Sequence, residues 1–139
     1  MAKFIEGKKM KKMLNKPEIH DKIWGNEIWI VNNEKYCGKI LELREGYRSS
    51  MHYHKEKDET FYILYGRVLI EAYDGMAVLE RGDSIRILPE TLHRFTGLKN
   101  SLILEISTYH KESDSYRIED KKSEKVPEDE FNLIKSIYD

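Results

Sequence analysis

The chain has 139 residues, 40% of them hydrophobic and 35% charged, with 24 basic and 25 acidic side chains and a formal net charge of −1. That length suits one domain with a core of its own, and the balanced charge argues against nucleic acid as a partner. No apolar run reaches membrane-spanning length, no apolar stretch follows the N-terminal lysines, and the single cysteine, Cys37, favours a reducing compartment, so the expected location is the cytoplasm.

Residues 1–22 read as a basic leader, in which Lys3, Lys8, Lys9, Lys11, Lys12 and Lys16 alternate with Phe4, Ile5, Met10, Met13 and Leu14. A partly ordered segment packing on a neighbouring subunit is preferred over a membrane-surface helix. Pro17 is expected to end any helix there. Strands follow at residues 28–31 and, after a turn at Asn32-Asn33, at 37–43, where Lys39, Leu41 and Leu43 share one face. Between residues 59 and 66 the alternation places Glu59, Phe61, Ile63 and Tyr65 on one face, and Gly66 breaks the run. Residues 68–72 and 76–79 flank an Asp74-Gly75 hairpin signal. Ile85 and Ile87 follow the Gly82-Asp83 turn, and residues 101–108 make the last clear strand, with Ile103, Glu105 and Ser107 opposite Leu102, Leu104 and Ile106. Many short strands separated by turn signals argue for an all-β sandwich or barrel, expected over residues 23–120. Residues 121–139 read as a linker and a short amphipathic helix. Pro127 opens it, Glu128, Asp129 and Glu130 complement its positive end, and Phe131, Leu133, Ile134, Ile137 and Tyr138 supply an apolar stripe.

The chemistry concentrates between Gly46 and Gly66, in GYRSSMHYHKEKDETFYILYG. Residues two apart on a strand share a face, so His52 and His54 point the same way. Glu59 follows at close range, and His93 stands downstream in GDSIRILPETLHRF. Neutral imidazoles and a carboxylate that converge suit a divalent transition metal, and room left for water or substrate marks a catalytic or binding site.

The spacing of His52, His54 and Glu59 between Gly46 and Gly66, followed by Gly82-Asp83 and His93, resembles the two-motif signature of the cupin superfamily. The resemblance implies a double-sheet jelly-roll barrel with His52, His54, Glu59 and His93 as ligands of Mn, Zn, Fe, Co or Ni. More narrowly, Trp24-Gly25 with Glu27, the strand YCGKIL, SSMHYH, HRF, LEIST and the tail from Asp114 to Asp120 look like small cupins related to type II mannose-6-phosphate isomerases. His54, Lys57 and Glu59 also match the H-x-x-K-x-E spacing of metal-dependent D-lyxose isomerases. Three departures stand out. Leu88 and Glu90 occupy positions where that second motif has Pro and Gly, Gly97 stands for its terminal Asn, and Lys121-Lys122-Ser123 replaces the Tyr-Gly-Arg after the tail. A turn that favours glycine must therefore form with Glu90.

These features imply a metal-dependent aldose–ketose isomerase or epimerase acting on a small carbohydrate. Lys57 is the expected proton relay or stabiliser of negative charge and Glu105 the expected base. Lys39, Arg94, His110 and Arg117 are the expected substrate-binding residues, as the positive charge a sugar phosphate needs. The alternatives are a metal-dependent cupin dioxygenase and a non-catalytic sugar- or metal-binding cupin. Neither nucleic acid nor membrane is expected as a partner, and the resemblance implies a homodimer.

Overall fold

Two antiparallel sheets face each other in the computed structural model, which describes residues 6–138. Lys3, Phe4 and Ile5 lie outside the described residues. In chain order the elements are α1 (Lys8–Met13), β1 (Glu18–Lys22), β2 (Gly25–Asn32), β3 (Cys37–Leu43), β4 (Tyr47–Arg48), β5 (His52–Tyr53), β6 (Glu59–Tyr65) and β7 (Arg67–Ala72). They continue with β8 (Gly75–Glu80), β9 (Ser84–Ile87), β10 (His93–Gly97), β11 (Ser101–Ser107), a 3-10 turn at Glu112–Asp114, β12 (Tyr116–Arg117), β13 (Glu124–Lys125) and α2 (Glu128–Tyr138). One sheet runs β1-β2-β3-β11-β6-β9; the other runs β12-β5-β10-β4-β13, with β7 joining β10 to β8. This is the double-sheet jelly roll expected from the sequence.

Strand alternation explains where the core lies. Leu41, Leu43, Phe61, Ile63, Ile103, Val68, Ile70 and Phe95 all point between the sheets, with Trp24 and Ile87 beside them. Burying each such side chain contributes about 1.5–3 kcal/mol. The inward face changes character along every long strand. On β3 it runs from Lys39 to Leu41 and Leu43, on β6 from Glu59 to Phe61 and Ile63, and on β11 from Ser107 and Glu105 to Ile103. Pairing aligns these changes, because Lys39 lies opposite Glu105, Glu59 opposite Ser107, and Ile103 opposite both Leu41 and Ile63. One end of the barrel is therefore apolar and packed, and the other is lined with charge.

One apolar row crosses the outward face of the first sheet, between polar positions such as Asn26 and Glu42. Ile19, Ile28, Ile40, Leu104 and Tyr62 are successive register partners across five strands. Tyr65 departs from the face it was expected to share with Glu59, Phe61 and Ile63 and is 60% exposed. A register shift between Leu102 and Ile103 turns the end of β6 outward. Gly66, at φ 97°, then lets the chain pass where a Cβ would lie 2.2 Å from Ser101 Oγ.

The barrel also reaches past the expected limits of 23 and 120. β1 pairs with β2 along its whole length, and β13 pairs with β4 while Val126 is buried. α1 lies wholly exposed and ends at Met13, ahead of Pro17, because Leu14 is already extended. α2 starts one residue after Pro127 and sits on the outside of the barrel, with Phe131 against Gly46 and Glu130 paired with Arg48. No helix among the described residues is long and apolar enough to cross a membrane.

Candidate metal centre

The four expected ligands stand at strand ends on the polar side of the barrel. His52 begins β5 and pairs directly with His93, which begins β10; His54 follows β5, and Glu59 begins β6. The ligand nitrogens of His52, His54 and His93 lie within 4.8 Å of one another. Glu59 Oε2 is 3.4 Å from both His54 Nε2 and His93 Nε2.

Each imidazole is oriented by its other nitrogen. Nδ1–H donates to the carbonyl of Ser50 from His52 (2.8 Å), of Asp114 from His54 (3.0 Å) and of Thr91 from His93 (2.9 Å). A carbonyl only accepts, so these bonds place the proton on Nδ1 and leave the Nε2 lone pairs free to ligate. Burial, then neighbouring His93, pushes the His52 pKa down to about 3; burial and then Lys57 lower that of His54. Burial opposes the charge on Glu59, but Lys57 and His93 outweigh it and hold the carboxyl below its usual range.

Among the described residues, the buried Glu59 Oε2 and His93 Nε2 have no hydrogen-bond partner. Leaving such atoms unpaired costs on the order of 1–3 kcal/mol each. A cation between them would remove that cost. Three neutral imidazoles and one carboxylate are also the donor chemistry that a divalent transition metal prefers. The site fits a metal.

Two supporting features come from opposite sides. Asp114, in the 3-10 turn, was quoted only as part of the tail motif, yet it organises the loop between the ligands. Its carboxylate accepts the backbone N–H groups of Lys55 (2.9 Å), Glu56 (3.1 Å) and Lys57 (3.0 Å), while its carbonyl orients His54. From the other side the Glu90 N–H donates to the His54 carbonyl at 2.6 Å. Glu90 takes the left-handed backbone expected of it, at φ 66°. Gly97, where the related motif has Asn, is accounted for by the Arg44 carbonyl, which a Cβ would approach to 2.6 Å.

Lys57 lies in the turn before β6 rather than on it, but its side chain is buried. Nζ is 3.1 Å from Glu105 Oε2, 3.4 Å from Glu59 Oε1 and 3.1 Å from His110 Nδ1. Burial works against the ammonium, and Glu105 and Glu59 outweigh it, so its pKa lies above the ordinary lysine value. Glu105 points inward; burial raises its pKa, and Lys57 only partly offsets that. Burial, Lys57 and Lys39 push His110 down to about 4, and its Nε2 is 3.1 Å from Glu112.

Lys39, Lys57, Glu105, His110 and Arg117 all line a cleft of about 80 Å³ beside His52, His54 and Glu59. Lys39 is buried beside Glu27 at 3.6 Å, and Arg117 is exposed. Arg94 is a correction. It follows His93 on β10, so alternation sends it to the opposite face, where Nε bonds the Ser49 carbonyl and the guanidinium lies among Arg48, Glu71 and Glu124. It does not line the cleft.

Residues 39–106 match the family profile of the cupin domain, Cupin_2. Among solved structures, KdgF from Halomonas sp. aligns at 16% identity and a TM-score of 0.64, over 69% of this chain and 89% of that one. Oxalate decarboxylase from Bacillus subtilis aligns at 16% and 0.66, over 73% of this chain but only 30% of that longer protein. Pac13, described as a unique nucleoside dehydratase, aligns at 13% and 0.66, over 82% of this chain and 90% of that one. Identities this low speak for the fold alone. No curated protein gives a significant sequence match.

Proposed function

The chain has the cupin fold, with a cupin domain at residues 39–106, and from that premise we propose that it is a metal-dependent enzyme that isomerises or epimerises a sugar. The observation that carries this reading is the Lys57 ammonium, buried between the ligand carboxylate Glu59 and the non-ligand carboxylate Glu105. A divalent transition metal held by His52, His54, Glu59 and His93 would supply Lewis acidity and a template for adjacent substrate oxygens. Glu105, with its raised pKa, suits a base that takes the proton from the carbon beside a carbonyl and returns it to the neighbouring carbon. Lys57 suits the donor that stabilises charge gathering on the substrate oxygen meanwhile. His110 accepts from Lys57 and keeps the ammonium aimed into the cleft. The resemblance to mannose-6-phosphate and D-lyxose isomerases supports the same reaction class.

An oxygenase is the second reading, because three imidazoles and a carboxylate also suit iron or manganese, and oxalate decarboxylase, which shares the fold, has Mn(II) centres. The test is metal analysis of purified protein, then a screen of aldoses and ketoses for interconversion with each metal restored. Interconversion supports the proposal; oxygen uptake by the iron-loaded protein without it would support the second reading, and tight sugar binding without either would leave a binding module.

We further propose a homodimer, and the lone buried Cys37 suits a cytoplasmic protein. The six strands of the first sheet, about 4.8 Å apart and seven residues long at β3, β6 and β11, make a face roughly 25 Å on each side. That approaches the surface of about 800 Å² per partner that a stable dimer covers, and the row from Ile19 to Tyr62 runs across it. Equilibrium sedimentation showing only monomer would overturn this assembly.

A further inference from the structure

Glu27, on β2, has no part in the donor set or around Lys57, yet its carboxylate stands in the cleft. Its Oε1 accepts the Trp29 Nε1–H at 2.8 Å and lies 3.6 Å from Lys39 Nζ. Lys39 Nζ in turn sits 4.2 Å from the centre of the Trp29 ring, so the three side chains brace one another. Burial opposes the charge on Glu27, but Lys39 and the indole N–H hold its carboxyl below the usual range. Its Oε2 differs from Oε1. No hydrogen bond reaches it among the described residues, and Glu27, 15% exposed, lines the cleft. A fixed carboxylate with one oxygen free is an acceptor for hydroxyl groups.

The charges around it are already answered from within. Lys39 pairs with Glu27, Lys57 with Glu59 and Glu105, and His110 rests on Glu112. Lys22 acts on Glu27 and Glu112, lowering both. Towards the mouth of the cleft, Lys22 and exposed Arg117 make no ion pair with a carboxylate among the described residues. Beside Glu27 and Lys39 a phosphate dianion would meet a cation already paired and the carboxylates of Glu27 and Glu112, so that part of the cleft disfavours it.

We propose that Glu27 is a substrate-binding residue whose Oε2 accepts hydrogen bonds from adjacent hydroxyls, and that the cleft takes an unphosphorylated sugar. The inference rests on the reading of the site as one for a sugar, but not on that sugar being turned over. Lys39 then serves as the brace of Glu27 rather than as a phosphate ligand.

The test uses the full-length, metal-loaded protein with matched pairs, each an aldose or ketose and its terminal phosphate, followed by calorimetry and by turnover. The free sugar is expected to bind more than about tenfold tighter than its phosphate. Glu27→Gln keeps an acceptor for Trp29 and Lys39 but puts a donor where Oε2 was. It is expected to raise KM, or Kd where nothing turns over, by about tenfold or more, while kcat changes less than about threefold. Should that variant melt early, Glu27→Gln with Lys39→Met removes the ion pair as a unit and is expected to show the same loss. A phosphate ester bound as tightly as the free sugar, or an unchanged Kd in the variants, overturns the inference. Free-sugar binding that Glu27→Gln weakens, without turnover of any sugar, leaves it standing and removes the isomerase reading. No binding by any sugar overturns both.

Discussion

Lys57 keeps its charge where burial disfavours it, because the carboxylates of Glu105 and Glu59 lie within 3.4 Å of its Nζ. Proton-transfer groups placed this way contribute roughly 10²–10⁴-fold to rate. Lys57→Met is therefore expected to lower kcat at least about 100-fold while metal content stays full, measured by elemental analysis beside steady-state kinetics. Turnover near the parent value would take Lys57 out of the mechanism. At this scale the candidate site was largely legible: strand alternation puts His52 and His54 on one face, and the spacing pointed to Glu59 and His93, which the fold brings beside them. Arg94 was open to the same reasoning, since a neighbour of an inward histidine on a strand must face outward. Glu105 was not decidable by pattern. Leu102, Leu104 and Ile106 make the more apolar face of β11, yet the barrel turns Ile103, Glu105 and Ser107 inward, so alternation alone pointed the wrong way there.

The strand elements were readable because each long strand alternates and each turn carries its own marker, such as Asp74-Gly75 between β7 and β8. Glu90 shows local chemistry read correctly from a missing glycine, since its left-handed backbone at φ 66° is what the turn demanded. Asp114 was illegible for a physical reason. Its three amide partners lie more than 50 residues away, at Lys55, Glu56 and Lys57, and no periodicity links a 3-10 turn to a distant loop. Asp114→Ala frees those amides and removes one anchor of the loop that follows His54. Losing support of this kind weakens metal binding by about 10–100-fold. Competition against a chromophoric chelator measures it; an affinity within about twofold of the parent would show that the loop holds His54 without Asp114.

For the whole molecule, the buried imidazoles make folding depend on pH when metal is removed. His52 and His110, at about 3 and about 4 in the folded chain, stay neutral there, while in the unfolded chain they protonate near 6.5. The unfolded state then binds more protons between those values, so stability is full above about 6.5 and falls as pH drops towards 4. Glu105 slopes the other way above 4.5, because its raised pKa lets the folded state keep a proton longer. Two imidazoles against one carboxylate leave a net loss on acidification. Asp114, lowered by the backbone N–H groups of Lys57, Glu56 and Lys55 despite burial, adds to it below its ordinary value of 3.8. Melting temperatures of the metal-free protein are expected to fall from pH 7 to pH 4.5, and a flat or rising profile over that range would contradict the neutral imidazoles.

Splitting the interior into a greasy half and a charged half separates two kinds of selection. Lys39, Glu59 and Glu105 belong to the charged half, while Leu41, Ile63 and Ile103 interlock one layer below them. A barrel partitioned in this way can exchange one catalytic repertoire for another through a handful of changes at its open mouth, with its foundations intact throughout.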